Sequence, residues 1–173
     1  MNAGLILGEV LVMFSMQELT PLFSVTKLVN AAYYQLGPDF QWPGERHDFW
    51  EVVYVDRGEA VVTAEEEEYT LKALEMAFHC PNEWHNLRAA EGKTAGVVVI
   101  AFVCDSPSMK AFRRRIIALG PQERQCLTTI VREAERAYVY FENRAPLVKL
   151  VRRDDAPLGA EQVIRANLEQ LFI

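Results

Sequence analysis

The apolar residues of this chain change their period at Asp105-Ser106-Pro107, and no other feature constrains the fold as much. Before that point they tend to alternate, as on a half-buried strand. After it they recur every three or four residues, as on one face of a helix. Strand signals cover Val25 to Gln35, Trp50 to Asp56, Ala60 to Ala64, Tyr69 to Ala73, Glu75 to Cys80, Trp84 to Ala89 and Gly96 to Cys104. Turn signals separate them, notably Arg57-Gly58 and Pro81-Asn82. Short strands with turns every eight to twelve residues or so suggest an antiparallel sandwich or small barrel. Val97 to Phe102 is almost wholly apolar and is expected to be buried on both faces. The run Glu65-Glu66-Glu67-Glu68 reads as a solvated hairpin tip whose charge blunts edge-to-edge association. It lacks the Asp/Gly spacing of an EF-hand.

Beyond Asp105, Ser106 is a candidate N-cap with Pro107 at the first helical position, and Met109, Phe112, Ile116 and Leu119 follow at helical spacing. Gly120 ends that helix and Pro121 opens the next. Leu127, Ile130, Val131, Ala134, Ala137, Tyr138 and Phe141 form one stripe of a helix expected from Gln122 to Asn143, roughly six turns long. A loop to Pro157 precedes a third helix from Gly159, with Ile164, Leu168, Leu171 and Phe172 on one face. That helix runs into Leu-Phe-Ile with no polar tail, as if cut or docked onto something outside the chain. The expected fold is mainly β: an antiparallel barrel of about eight strands followed by helices. The barrel covers residues 22–105 and about three helices cover 106–173, while residues 1–21 form an unassigned extension.

Composition removes several function classes. Half the residues of the 173 are hydrophobic, which excludes intrinsic disorder. No apolar run reaches the roughly 18 residues of a membrane span. Ala3 to Phe14 carries Glu9 and lacks both a positive n-region and a cleavage site, so it is a poor secretory signal. The net charge of −6 argues against nucleic-acid binding by this chain alone, and Arg113-Arg114-Arg115 and Arg152-Arg153 read as solvated surface. Cys80, Cys104 and Cys126 are odd in number and form no C-x-x-C, which fits a reduced, cytoplasmic protein. No nucleophile elbow, phosphate loop or H-E-x-x-H occurs. Cys80, near His79 and His85 in sequence, reads as a half-buried structural thiol.

The densest polar chemistry lies in Gly44-Glu45-Arg46-His47-Asp48-Phe49-Trp50-Glu51 and in Phe78-His79-Cys80-Pro81-Asn82-Glu83-Trp84-His85, which together hold all three histidines. His47-x3-Glu51-x6-Gly58 resembles the first motif of the cupin barrels, and Pro81-x3-His85 resembles a shortened second motif. The phrases GERHDFWEVVYVDRGE, FHCPNEWHNLRA, VVVIAFVCDSPSM and GAEQVIRANLEQLFI, in that order, resemble the effector-binding amino-terminal domain of AraC-type transcriptional regulators. The resemblance implies a jelly-roll sensor barrel, then helices for dimerisation, then a carboxy-terminal pair of helix-turn-helix motifs that this chain does not contain. It implies a small-molecule effector, a homodimer, DNA contact only through the missing part, and no membrane. The chain departs from the cupin pattern where Glu45 takes the first place of a His-x-His pair, where Leu74 stands in place of glycine, and in the shorter Pro81-to-His85 spacing. These departures bear on metal chemistry more than on fold.

Three readings of the histidines stay open. In the first, His47, Glu51 and His85 hold Fe, Mn or Zn. Four residues of straight strand span about 13 Å, so His47 and Glu51 share an ion only if the chain turns between them. In the second, Glu51 and His85 face an organic ligand, with His47, Phe49, Trp42 and Trp84 as further contacts and no cofactor required. The third is structural: Glu51 pairs with Arg46, His85 bonds a backbone carbonyl, and His79 faces solvent. The resemblance favours a non-enzymatic sensor. The alternative is a free-standing metal-dependent cupin isomerase or dioxygenase acting on a sugar or small acid. Dimer contacts are expected at Leu127, Ile130, Ala134 and Tyr138.

Overall fold

The structure, a computed structural model, describes residues 3–7, 10–142 and 148–173. The strands run β1 (Ala3–Leu7), β2 (Val10–Phe14), β3 (Val25–Leu36), β4 (Trp50–Ala64), β5 (Glu67–Lys72), β6 (Glu75–His79), β7 (His85–Ala89) and β8 (Ala95–Cys104). A 3-10 helix (Pro107–Phe112), β9 (Ile116–Ala118), α1 (Pro121–Ala137), β10 (Tyr138–Glu142), β11 (Val148–Arg152) and α2 (Ala160–Leu171) follow. The expected order, antiparallel strands and then helical segments, is present. The amino-terminal extension carries a hairpin, β1 against β2.

β4 organises the barrel. Its first half pairs with β8 on one side and β6 on the other, and its second half pairs with β5 and β7. The corner between the halves lies at a register shift from Val55 to Arg57, beside Gly58 at φ +78°. A Cβ on Gly58 would stand 2.2 Å from the Thr94 carbonyl oxygen, so this close crossing requires glycine. β3 closes one edge by pairing along β8.

Alternation along the strands builds two cores. Val53 and Val55 of β4 join Val62, Leu71, Val97 and Val99 inside the barrel. Trp50, Val52 and Tyr54 point the other way, with Val98, Ile100 and Phe102 of β8, and meet the helices. β8 is therefore buried on both faces, as its composition requires. Leu127, Ile130 and Ala134 of α1 and Ile164 and Leu168 of α2 cover this outer face. Burying each large aliphatic side chain there contributes about 1.5–3 kcal/mol.

Four expectations need correction. The segment after Pro107 is a single short 3-10 turn rather than a helix to Leu119, because Arg114 adopts φ +54° and Ile116–Ala118 pairs with β6. The Ser106 hydroxyl caps nothing and accepts from the Ser24 N–H instead. α1 stops at Ala137, since Tyr138-Val139-Tyr140-Phe141 is rich in β-formers and pairs with β11; Asn143 lies outside the described residues. Leu127, Ile130 and Ala134, expected at a dimer contact, are buried in the chain's own core, and Tyr138 packs against it. Leu171 and Phe172 are buried there too, with Phe172 ringed by Phe23, Phe78, Phe102 and Phe112. Among the described residues no helix is long and apolar enough to cross a membrane.

Candidate functional site

At one end of the barrel interior the side chains turn polar. Glu51 sits on β4 two residues before Val53, with His79 of β6 and Ala101 of β8 opposite it on either side. His85 opens β7. Residues 40–45 run as a strap beside β7: the Trp42 N–H donates to Leu87, and Glu45 and His85 exchange backbone hydrogen bonds of 2.9 Å. The chain then bends at Asp48-Phe49 before β4 begins, which is the turn that the His47–Glu51 spacing demanded.

The result is a tight group. His47 Nε2 lies 3.7 Å from Glu51 Oε2, His85 Nε2 lies 3.6 Å from Glu51 Oε1, and His85 Nε2 lies 3.9 Å from Glu45 Oε1. One ligand atom from each of Glu45, His47, Glu51 and His85 falls within 4.8 Å of the others. The two imidazoles share one arrangement. His47 Nδ1 is 3.1 Å from the Phe49 carbonyl and His85 Nδ1 is 3.0 Å from the Glu83 carbonyl. A carbonyl only accepts, so each Nδ1 carries a proton, and in the neutral form of each ring the Nε2 lone pair turns inward. Both Nε2 atoms are buried without a hydrogen-bond partner.

The remaining predicted residues frame this group. Phe49 stacks on His47 with ring centroids 3.7 Å apart. The Trp42 side chain lies beside the Glu45 carboxylate and favours its charged form. Trp84 packs over Gly44, where a Cβ would stand 2.4 Å from the indole. Arg46 does not pair with Glu51 but with Glu65. His79 does not face solvent: it is 1% exposed, stacks on His85 at 4.4 Å, and stands 3.8 Å from Glu83. Its Phe78 and Cys80 neighbours are equally buried, because β6 is covered on both faces and alternation there carries no inside–outside signal. Glu45, which stands where the His-x-His pattern has histidine, is brought into the group by its backbone pairing with His85.

Electrostatics follow from burial and from the two carboxylates. Burial lifts the Glu45 carboxyl above its ordinary value, and Glu51 adds to the effect. Burial opposes charge on His47, but the Glu51 carboxylate beside its Nε2, with Glu45 behind it, outweighs that and holds its pKa above the usual imidazole value. His85 goes the other way: burial, then the neighbouring His79, depress it against the pull of Glu51.

The residues fit a divalent cation. Two imidazole nitrogens and two carboxylates suit Zn, Mn or Fe, and backbone acceptors on the far ring nitrogens orient the histidines. Ligand distances of about 2.0–2.2 Å would require the group to draw in slightly from its present separations.

No curated protein matches the chain. Solved structures similar to it include TT1209 of Thermus thermophilus, at 28% identity over 41% of this chain and 69% of that one, with a TM-score of 0.39. A predicted oxalate decarboxylase of Thermotoga maritima is 19% identical over 44% of this chain and 68% of that one, with a TM-score of 0.43. A cupin 2 domain-containing protein of Halorhodospira halophila is 23% identical over 56% of this chain and 61% of that one, with a TM-score of 0.39. The AraC-like ligand binding domain family matches residues 31–137, a span from β3 to the end of α1 that contains the whole polar group, and the chain belongs to that family.

Proposed function

We propose that this chain is the ligand-sensing part of an AraC-type transcriptional regulator. A small effector binds at the polar end of the barrel, and a DNA-binding domain outside this chain reads out the change. The observation that carries this is the convergence of buried, unpartnered His47 and His85 Nε2 atoms on Glu45 and Glu51, inside the span matched by a ligand-binding family. With each Nδ1 proton held by a carbonyl, the group presents only acceptors when both rings are neutral. It therefore suits a ligand that brings positive charge or several donors. Residues 22–105 would form the sensing unit and 106–173 the helical unit that passes the signal on. Pairing of two chains through the helical unit would use exposed Val139, Leu158 and Val163 in place of the buried α1 stripe. Glu51→Gln removes a charge without changing shape. It should abolish or strongly weaken effector response in the full-length regulator and leave the thermal midpoint nearly unchanged. A large stability loss with intact response would make the group structural.

One observation favours a second reading, a metal-dependent cupin enzyme: the fixed tautomers are those that metal-ligating histidines need. A bound ion would act as a Lewis acid toward a sugar or small acid. Glu45, His47, Glu51 and His85 would hold it, and Phe49 and Trp42 would fix His47 and Glu45 in place. Elemental analysis decides between the readings. Stoichiometric zinc, manganese or iron whose removal abolishes a turnover supports the enzyme; metal-free protein that responds to an effector supports the sensor.

A further inference from the structure

The strap that carries Glu45 and His47 is held from outside by an ion pair that lies beyond the site. Side chains alternate along it, so Glu45 and His47 turn inward while Arg46 turns out. Backbone pairing with β7 ends at Glu45. Past that point the ties are few. The Asn82 N–H donates to the His47 carbonyl at 2.6 Å. Arg46 donates to the Asn82 carbonyl and, at 3.1 Å, to Glu65 Oε2. Glu65 accepts in turn from the Trp84 N–H at 3.0 Å, and its own N–H donates to the Trp84 carbonyl at 2.8 Å. Arg46 thus links the strap to the β4–β5 turn and to the β6–β7 loop, the segment that ends in His85.

Glu65 is an unexpected residue for its position. It is the first residue of a two-residue hairpin loop and adopts φ +53°, where glycine is favoured. It also opens the glutamate run that reads, from sequence, as a solvated tip. Its carboxylate is instead held by two donors.

We propose that Arg46 and Glu65 form a positioning clamp that fixes Glu45 and His47 over the site, so that ligand affinity depends on a surface pair that touches no ligand. This rests on the reading of Glu45, His47, Glu51 and His85 as a binding group. The pair is about half exposed, at 51% and 41% of side-chain area, so its loss leaves the barrel core intact.

Calorimetric titration of the chain with zinc ion tests the clamp in Arg46→Ala, Glu65→Gly and the double variant. Arg88→Ala, which breaks the comparable exposed pair Arg88–Glu68 at 2.8 Å, is the control. Residues that orient metal ligands change affinity by 10–100-fold or so when removed. Each single variant should bind zinc roughly tenfold more weakly. The double variant should bind no more weakly than either, and Arg88→Ala should match the parent. Glu65→Gly should melt at or above the parent's temperature, because glycine suits the turn; a merely structural role predicts a lower melting temperature with unchanged affinity. Equal affinity in parent and Arg46→Ala overturns the proposal. If the parent binds no zinc, the metal reading of the site fails, and the clamp is judged on metal-free protein by nitrogen-15 imidazole spectra. Arg46→Ala should then speed exchange of the His47 Nδ1 proton and spare that of His85, and an unchanged His47 would overturn the clamp.

Discussion

The two ends of the barrel interior are built by the same strands and are chemically opposite. At one end Val53, Val55, Val62, Leu71, Val97 and Val99 close a dry core. At the other, Glu51, His79 and His85 are almost as deeply buried and are met by Glu45 and His47 from the strap. On β4 the change happens between Glu51 and Val53, one pleat repeat apart. The difference teaches that strand register sets Glu51, His79 and His85 at this end, while the connection between β3 and β4 delivers Glu45 and His47 to them. It also shows how buried polarity is managed: each inward-facing imidazole of the ligand group keeps its second nitrogen on a backbone carbonyl.

The sharpest way to break the comparison is to move the polarity. Val53→Asp puts an unpaired carboxylate in the dry end and should cost about 4 kcal/mol or more, visible as loss of the cooperative urea transition. Glu51→Gln, two residues away, should leave that transition in place. Next in size is the outer core. Ile130→Ala should lose about 2–5 kcal/mol by leaving a cavity between α1 and the sheet, and Ile130→Asp should unfold the chain instead of releasing folded monomers. Circular dichroism with sedimentation separates those outcomes.

The polar end can be sharpened by titration. In metal-free protein, His47 should titrate above 6.5 and His85 below it, and Glu51→Gln should lower both. The signs for stability are opposite. A raised His47 binds its proton more tightly when folded, so its contribution is full below 6.5 and is lost as pH rises through its folded pKa. A depressed His85 gives up its proton on folding, so stability falls as pH drops below 6.5. Imidazole chemical shifts followed from pH 8 to 5 check both, and a common midpoint would break the contrast. The smallest effect belongs to the surface: Arg88→Ala should change unfolding free energy by about 0.5 kcal/mol or less.

Much of this was legible in the residues. The period change at Asp105 falls between β8 and the 3-10 helix, and the apolar run of β8 announced burial on both faces. The requirement for a turn between His47 and Glu51 was met at Asp48-Phe49. What was not legible came from long-range pairing. Glu45 reads as a lost ligand until its backbone is paired with His85, forty residues on. His79 reads as exposed because alternation was counted along a strand that is covered on both sides. Ile116 and Leu119 keep helical spacing, yet the unfilled edge of β6 captured that segment as β9. Glu65 looked solvated because a charge run says nothing about which of its members is held.

The pairing of β3 with β8 joins Val25 to Cys104, so the barrel closes only after most of the chain has been made. Non-local pairings of this kind fold slowly, on the order of milliseconds to seconds. Until β3 arrives, β8 presents an open edge whose residues Val97 to Phe102 are apolar on both faces. Such an edge recruits other strands. Aggregation during refolding should therefore rise steeply with concentration and centre on β8, and a fragment beginning after Leu36 should be insoluble although its polar group is complete.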